Sequence, residues 1–180
     1  MMTQQSKGER FVEHLMKLEE RKDRGALAAL RRGLGRPPGS APEMHRYVAS
    51  WTDRESSRWR EDVYYIVAAL FAFYPCNWRR AASDRYINLG ASFAKTAGGD
   101  SHEAVERRFT ALLNVRAEDL HVHLRHAVSL LKSKDAPIDW ARLLRDLMSW
   151  NHEDRRIQRD WARAFWRTVP QDAFEEDTNT

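Results

Sequence analysis

The sequence predicts an all-α protein, with eight or nine helices arranged as two helical-bundle lobes. Three observations carry this. Apolar residues recur at i, i+3 or i+4, and i+7 over most of the chain, the spacing that gives a helix one buried stripe. No apolar–polar alternation lasts long enough to make a strand. Gly and Pro number only 8 and 6 among 180 residues, too few for the many turns of an all-β fold.

The first helix covers 8–21, with Phe11, Leu15 and Leu18 inward. Asp23 is a cap for a short second helix carrying Leu27, Leu30 and the pair Arg31-Arg32. Residues 33–42 are rich in Gly, Pro and Ser, and Pro37-Pro38 cannot continue a helix, which makes this an exposed loop with a basic rim. A short helix over 43–49 uses Met44, Tyr47 and Val48, with Trp51 at its end. The run 57–74 is the longest apolar helix of this half. Its stripe is Trp59, Val63, Ile66, Val67, Leu70 and Tyr74, widened by Ala68, Ala69, Phe71 and Phe73, as suits the central helix of a lobe. Pro75 ends it, and Trp78 and Arg79-Arg80 follow. Residues 84–94 read as helical again through Tyr86, Ile87, Leu89 and Phe93. Gly90 in their middle costs about 1 kcal/mol relative to Ala and leaves room for another backbone or a ligand. Gly98-Gly99 mark the boundary between an N-terminal lobe, 1–97, and a C-terminal lobe, 98–169.

Four helices follow in close succession. Val105, Phe109, Leu112 and Leu113 form the first stripe, with Arg107 opposite and Arg108 on the flank, since each residue turns a helix by about 100°. Leu120, Leu124, Ala127, Val128 and Leu131 form the second, with Arg125 outside it. Residues 132–137 break the chain. Asp139 caps a third helix with Trp140, Leu143, Leu144 and Leu147 inward and Arg142 and Arg145 facing away. Residues 151–154 start the fourth, with Ile157, Trp161, Ala164 and Phe165 inward and Arg155, Arg156, Arg159 and Arg163 outward. Residues 170–180 form an acidic tail too polar to fold. Trp59, Trp140 and Trp161 read as core, each worth about 4–6 kcal/mol at most. Trp166 points about 140° away from Trp161 and faces a partner, stacks on a base or packs beneath the tail, the last being favoured.

Composition narrows the function classes. The net charge is +4 and the pI about 9.4, a mild bias. It is unevenly spread: residues 1–98 carry 17 Lys+Arg against 11 Asp+Glu, and the remainder 13 against 15. Only six of the cations are lysine, and arginine's planar fork suits phosphate oxygens. One cysteine, Cys76, forbids an internal disulfide and fits a cytoplasmic setting. No run of about 18 apolar residues is present, and the first ten residues lack the apolar core of a signal peptide, so no membrane partner is expected.

Catalytic constellations are missing from the sequence. The chain has no Gly-rich phosphate loop and no Gly-x-Ser-x-Gly elbow. Cys76 behind a proline reads as an inert thiol. His123 and His126 fall on one flank of their helix and His121 on the other, which argues against a shared metal ion. Asp53, Asp62, Asp84, Asp139 and Asp154 sit at helix starts or first turns, where a carboxylate caps N–H groups. The expectation is a protein without catalytic residues, metal or cofactor. What remains is Arg31-Arg32, Arg79-Arg80, Arg107-Arg108 and Arg155-Arg156, with outward Arg142 and the loop bases Arg116, Lys132 and Lys134. Together they suggest a surface that tracks phosphates without reading bases.

Several stretches carry a family resemblance. They are Val105-Glu106-Arg107-Arg108-Phe109 with Leu112-Leu113, and Leu130-Leu131-Lys132-Ser133 through Pro137-Ile138-Asp139-Trp140-Ala141-Arg142-Leu143-Leu144. Trp150 followed by Gln158-Arg159-Asp160-Trp161-Ala162-Arg163-Ala164-Phe165-Trp166 continues the series. In these the chain resembles the CasB family, the small subunit of the type I-E Cascade CRISPR surveillance complex. Leu30-Arg31-Arg32-Gly33 and Asn88-Leu89-Gly90 look like that family's N-terminal landmarks. The likeness is dense over 100–166 and looser over 24–95. It implies two helical lobes and a second copy lying head to tail in the assembly. It also implies contacts with the Cascade backbone and large subunits, with guide RNA, and with the target and displaced DNA strands. Arg31, Arg107, Arg108, Arg116, Arg155 and Arg156 match the family's functional basic residues best, and Arg54 and Arg58 precede the central helix where the family is also basic. The implied role is antiviral defence, with the protein steadying backbones while base pairing reads sequence. The alternative is a pure assembly subunit that touches only protein.

Overall fold

The computed structural model describes residues 5–53, 56–75, 87–98 and 102–168. Among them are nine α-helices and no strand, the all-α architecture expected. In the first half lie α1 (Lys7–Glu20), α2 (Arg24–Arg31), α3 (His45–Val48), α4 (Arg58–Phe73) and α5 (Leu89–Ala94). The second half holds α6 (His102–Leu113), α7 (Ala117–Ser133), α8 (Trp140–Met148) and α9 (Arg156–Thr168). Arg54, Cys76, Trp78, Arg79-Arg80, Asp84, Tyr86, Gly99 and the 170–180 tail lie outside the described residues.

Local chemistry fixes the helix ends. Ser6 and Glu9 form a reciprocal capping box: Glu9 N–H donates to Ser6 Oγ at 3.2 Å, and Ser6 N–H to Glu9 Oε2 at 2.8 Å. Asp23 and Asp139 cap α2 and α8 as expected, each accepting a backbone N–H at 2.9 Å. α1 and α7 both end in Schellman geometry. Asp23 N–H reaches Leu18 O and Ala136 N–H reaches Leu131 O, each at 2.9 Å. The left-handed residue is Lys22 (φ 54°) in one and Asp135 (φ 50°) in the other, where glycine is the usual occupant.

α4 is the axis of the fold. Every residue from Val63 to Ala72 is buried, so it is covered on all sides. It packs against α1, α2, α3, α7 and α8. Trp59 fastens it to α8 by donating its indole N–H to Leu147 O at 2.8 Å, and Phe71 meets Trp140 edge to face at 5.7 Å. Contacts therefore run between helices of the first and second halves, and α1 also lies on α8.

α5 lies along α9, with Gly90 at the crossing. A Cβ built there would come 2.0 Å from the carbonyl oxygen of Trp161, so only glycine fits. The space that the sequence leaves for a backbone or a ligand is taken by the backbone of α9. Phe93, Phe109 and Phe165 meet beneath this crossing, Phe109 and Phe165 stacked at 4.5 Å. Trp166 joins them against Phe109 and donates to Glu106 Oε1 at 3.3 Å, so its indole packs on α6. Trp161 is fully buried and donates to Asp146 Oδ2 at 2.7 Å.

Several boundaries differ from expectation. Of the helix expected over 84–94, residues 84–86 lie outside the described residues and α5 begins at Leu89: Asn88 is extended, and its side chain caps α5 while donating to Asp160 O at 3.1 Å. α9 starts at Arg156 rather than within 151–154, because 151–155 form turns that end on Arg155 at φ 48°. Asp154 is thus no helix cap and lies 3.5 Å from His152. Asp53 pairs with Lys7 at 2.7 Å, ahead of the start of α4 at Arg58. Asp62 is partly buried within α4, where burial pushes its carboxyl above the ordinary range against the pull of Arg58.

Candidate nucleic-acid interface

Exposed cations are spread over the described surface, and Arg107, Arg108, Arg116, Arg155 and Arg156 among them lie on α6 and around the starts of α7 and α9. α6 buries Val105, Phe109 and Leu112, which leaves Arg107 and Arg108 outside and exposed. Arg116 is the N-cap of α7 but gives it no side-chain cap, so its guanidinium is exposed and uncommitted to that helix. Arg155 donates a guanidinium N–H to Leu113 O, where a cation meets the negative end of α6. Arg116 and Arg155 line one shallow groove with Asn114, Trp150 and Gln158, and Glu118 and Glu153 share it. Trp150 is held there by its own N–H bond to Val115 O at 3.0 Å. Arg156 opens α9 and reaches Ser149 Oγ at 3.4 Å. Two arginines at a helix start oppose the macrodipole, and a bound anion would relieve that opposition.

Among the described residues, Arg107, Arg108, Arg116, Arg155 and Arg156 pair with no carboxylate. The other predicted residues are placed differently. Arg31 is exposed at the end of α2, donating to Leu27 O at 3.2 Å, and Arg32 beside it pairs with Glu43 at 3.4 Å. Arg58 is exposed at the start of α4. Lys134 is exposed at the end of α7, whereas Lys132 is turned onto α4, donating to Phe73 O at 3.0 Å with its ammonium 4.3 Å from the Phe73 ring centre.

Arg142 corrects the expectation most. It does not face away. Its Nε donates to Asp146 Oδ1 at 2.7 Å, and Asp146 is buried with only 3% of its side chain exposed. Burial raises the Asp146 carboxyl above its ordinary value, while the Trp161 hydrogen bond and the Arg142 charge pull it down. This guanidinium is committed to a buried acid–indole link and stays only partly exposed.

The three histidines part as the helical spacing requires. His121 faces the loop 33–39 beside Tyr65, with its Nδ1 buried and unbonded. His123 and His126 share a cleft with Arg108 that sequence reasoning misses, because it depends on how α6 and α7 pack. Among the described residues, no three His, Cys, Asp or Glu side chains form a metal-binding group, and no helix is long and apolar enough to cross a membrane.

Comparison with known proteins decides the family. The family model for CRISPR-associated protein Cse2 matches residues 26–166. The chain belongs to the Cse2 family. A curated Cse2 from Thermus thermophilus is 34% identical over 163 residues, covering 89% of this chain and 90% of its own. Among solved structures, CasB of M. ruber matches at 34% identity and TM-score 0.77, covering 93% of this Cse2-family chain and 97% of that one. A chain of a CRISPR RNA-guided surveillance complex matches at 33% identity and TM-score 0.73, covering 91% and 93%. The CasB resemblance read from the α6–α9 motifs is therefore correct, and so is the helical fold it implied.

Proposed function

We propose that this Cse2-family chain is a non-catalytic subunit of a Cascade CRISPR surveillance complex acting in antiviral defence. Its phosphate contacts are independent of base sequence and steady the guide RNA–target DNA heteroduplex and the displaced strand. The observation that carries the reading is the match, over 91% of this chain, to a chain of a CRISPR RNA-guided surveillance complex. The arginines of α6 and of the α7 and α9 starts, unpaired with carboxylates, supply the chemistry. A guanidinium fork meets two phosphate oxygens at once, and contacts confined to the backbone are indifferent to sequence. Arg31, Arg58, Arg107, Arg108, Arg116, Arg156 and Lys134 form the proposed contact set, with Arg155 positioned at its edge. Arg142 and Lys132 are bound within the chain in this reading, to Asp146 and to Phe73 O, and Arg32 is shared with Glu43. The reading keeps an N-terminal lobe of 1–97 and a C-terminal lobe of 98–169, a second copy of the chain in the complex, and neighbours among the backbone and large subunits. It also keeps the type I-E assignment and a cytoplasmic setting.

The test is direct binding. Purified chain is titrated with unrelated single- and double-stranded DNAs over a range of salt. Affinity should fall steeply as salt rises, because displaced counterions drive the association. If the chain binds neither form yet joins its partner subunits, the pure assembly role replaces this one.

A further inference from the structure

The described surface holds a second feature that phosphate contacts leave unexplained. Between α6 and α7 lies a cleft of about 520 Å³. Phe93, Leu112 and Ala127, all buried, form its floor, and Ala111 and Leu130 its apolar walls. Its polar edge is Arg108, His123, His126, Ser129 and Ser133, all exposed; the first four can donate a hydrogen bond, while the Ser133 hydroxyl donates to Leu130 O at 2.8 Å. Among the described residues, no carboxylate lines it. The groove at Arg116 and Arg155, by contrast, has Glu118 and Glu153 in its wall. An apolar slot whose edge is cationic and rich in donors is complementary to a flat apolar group that carries an anion. The volume lies within the range of about 300–1,000 Å³ typical of small-molecule sites.

We propose that this cleft seats one unpaired nucleotide, its base between Ala111 and Leu130 and its phosphate on Arg108. The proposal rests on the nucleic-acid reading above and adds a base-holding site to it. A base inside a duplex is stacked and paired and cannot enter, so the occupant belongs to a single strand or an extruded position. Apolar contact with the face of a base is tolerant of sequence because every base is flat and burying it removes apolar area from water, so the cleft discriminates unpaired from paired strands rather than one sequence from another. His123 and His126 sit about one helical turn apart on the α7 side, where they can donate to phosphate or base edges.

The test uses the full chain and four short probes of equal length: oligothymidylate, oligouridylate, an oligomer of abasic sites, and a duplex. The abasic strand keeps every phosphate and lacks the bases. The parent should bind oligothymidylate about tenfold tighter than the abasic strand, the loss of one base's apolar burial. Ala111→Trp fills the cleft from an exposed position without changing charge, and should erase that preference while leaving duplex binding unchanged. Comparing oligothymidylate with oligouridylate shows whether a DNA or an RNA strand supplies the nucleotide. Equal affinity of the parent for the base-bearing and abasic strands would overturn the cleft and leave the phosphate reading standing. So would a folded Ala111→Trp that keeps the preference, or one that loses only assembly with partner subunits, which would make the cleft a seat for a protein side chain. Failure of the parent to bind any probe overturns both.

Discussion

Trp161 donates its indole N–H to Asp146 at 2.7 Å, and the same carboxylate accepts Arg142 Nε at 2.7 Å. One buried acid thus joins α8 to α9 and uses up an arginine that the sequence offered as a surface contact. Replacing Asp146 with Ala leaves a buried indole N–H and a partly buried guanidinium without their acceptor. The expected loss is about 3–5 kcal/mol, read as a lowered urea midpoint with unchanged slope. Asp146→Asn keeps an acceptor for Trp161 and should cost less.

The same carboxyl sets a pH dependence. Its folded pKa is raised, so between the unfolded value and the raised one the folded chain binds more protons, and the contribution of Asp146 falls as pH rises through that window. The stability difference between parent and Asp146→Asn should therefore widen as pH is lowered from neutral into the acid range. A constant or shrinking difference in chemical denaturation across that range would contradict the assignment.

Gly90 predicts a second structural loss. The nearest neighbour of an added methyl is the Trp161 carbonyl, which cannot rotate away as a side chain could. Gly90→Ala should cost at least about 3 kcal/mol by forcing α5 off α9. The change should appear as a drop in thermal midpoint with the near-ultraviolet signal of the packed tryptophans.

Lys22 predicts a gain. A left-handed conformation costs an ordinary residue about 1 kcal/mol or more that glycine avoids. Lys22→Gly should raise stability by that order, with no effect on the α6 arginines. Urea unfolding of the two proteins side by side would show it.

Arg107 and Arg108 predict a change in binding alone. If each meets one phosphate, reversing both to Glu should lower affinity for unrelated DNAs alike. It should also reduce the slope of log affinity against log salt by about 2. Arg142→Ala should do the opposite, lowering stability while leaving the slope as it was.

Much of the fold is legible in the sequence because it depends on one helix at a time. The stripes of α1, α4, α6 and α7, and the caps Asp23 and Asp139, follow from spacing and residue type alone. Departures arise where tertiary contacts overrule local signals. Asn88 breaks the run ahead of α5 because its amide bonds Asp160, far along the chain. Asp154 resembles a cap only if α9 is placed too early. Among the cations, helical angle separates inward from outward but cannot tell a free guanidinium from one bent back onto a buried acid. Arg107 and Arg142 look alike in sequence, and only packing distinguishes them. The cleft beside Arg108 is invisible there for the same reason.

The seat of α5 on α9 also sets an order of events at the ribosome. Leu89 and Phe93 leave the exit tunnel long before the helix that shelters them is synthesised. Until Trp161 and Phe165 emerge, the face of α5 that α9 covers stays bare in the nascent chain, with Phe93 resting on Phe109 of α6, so this packing step waits on α9. A premature stop ahead of α9 would leave that face of α5 with no helix to cover it.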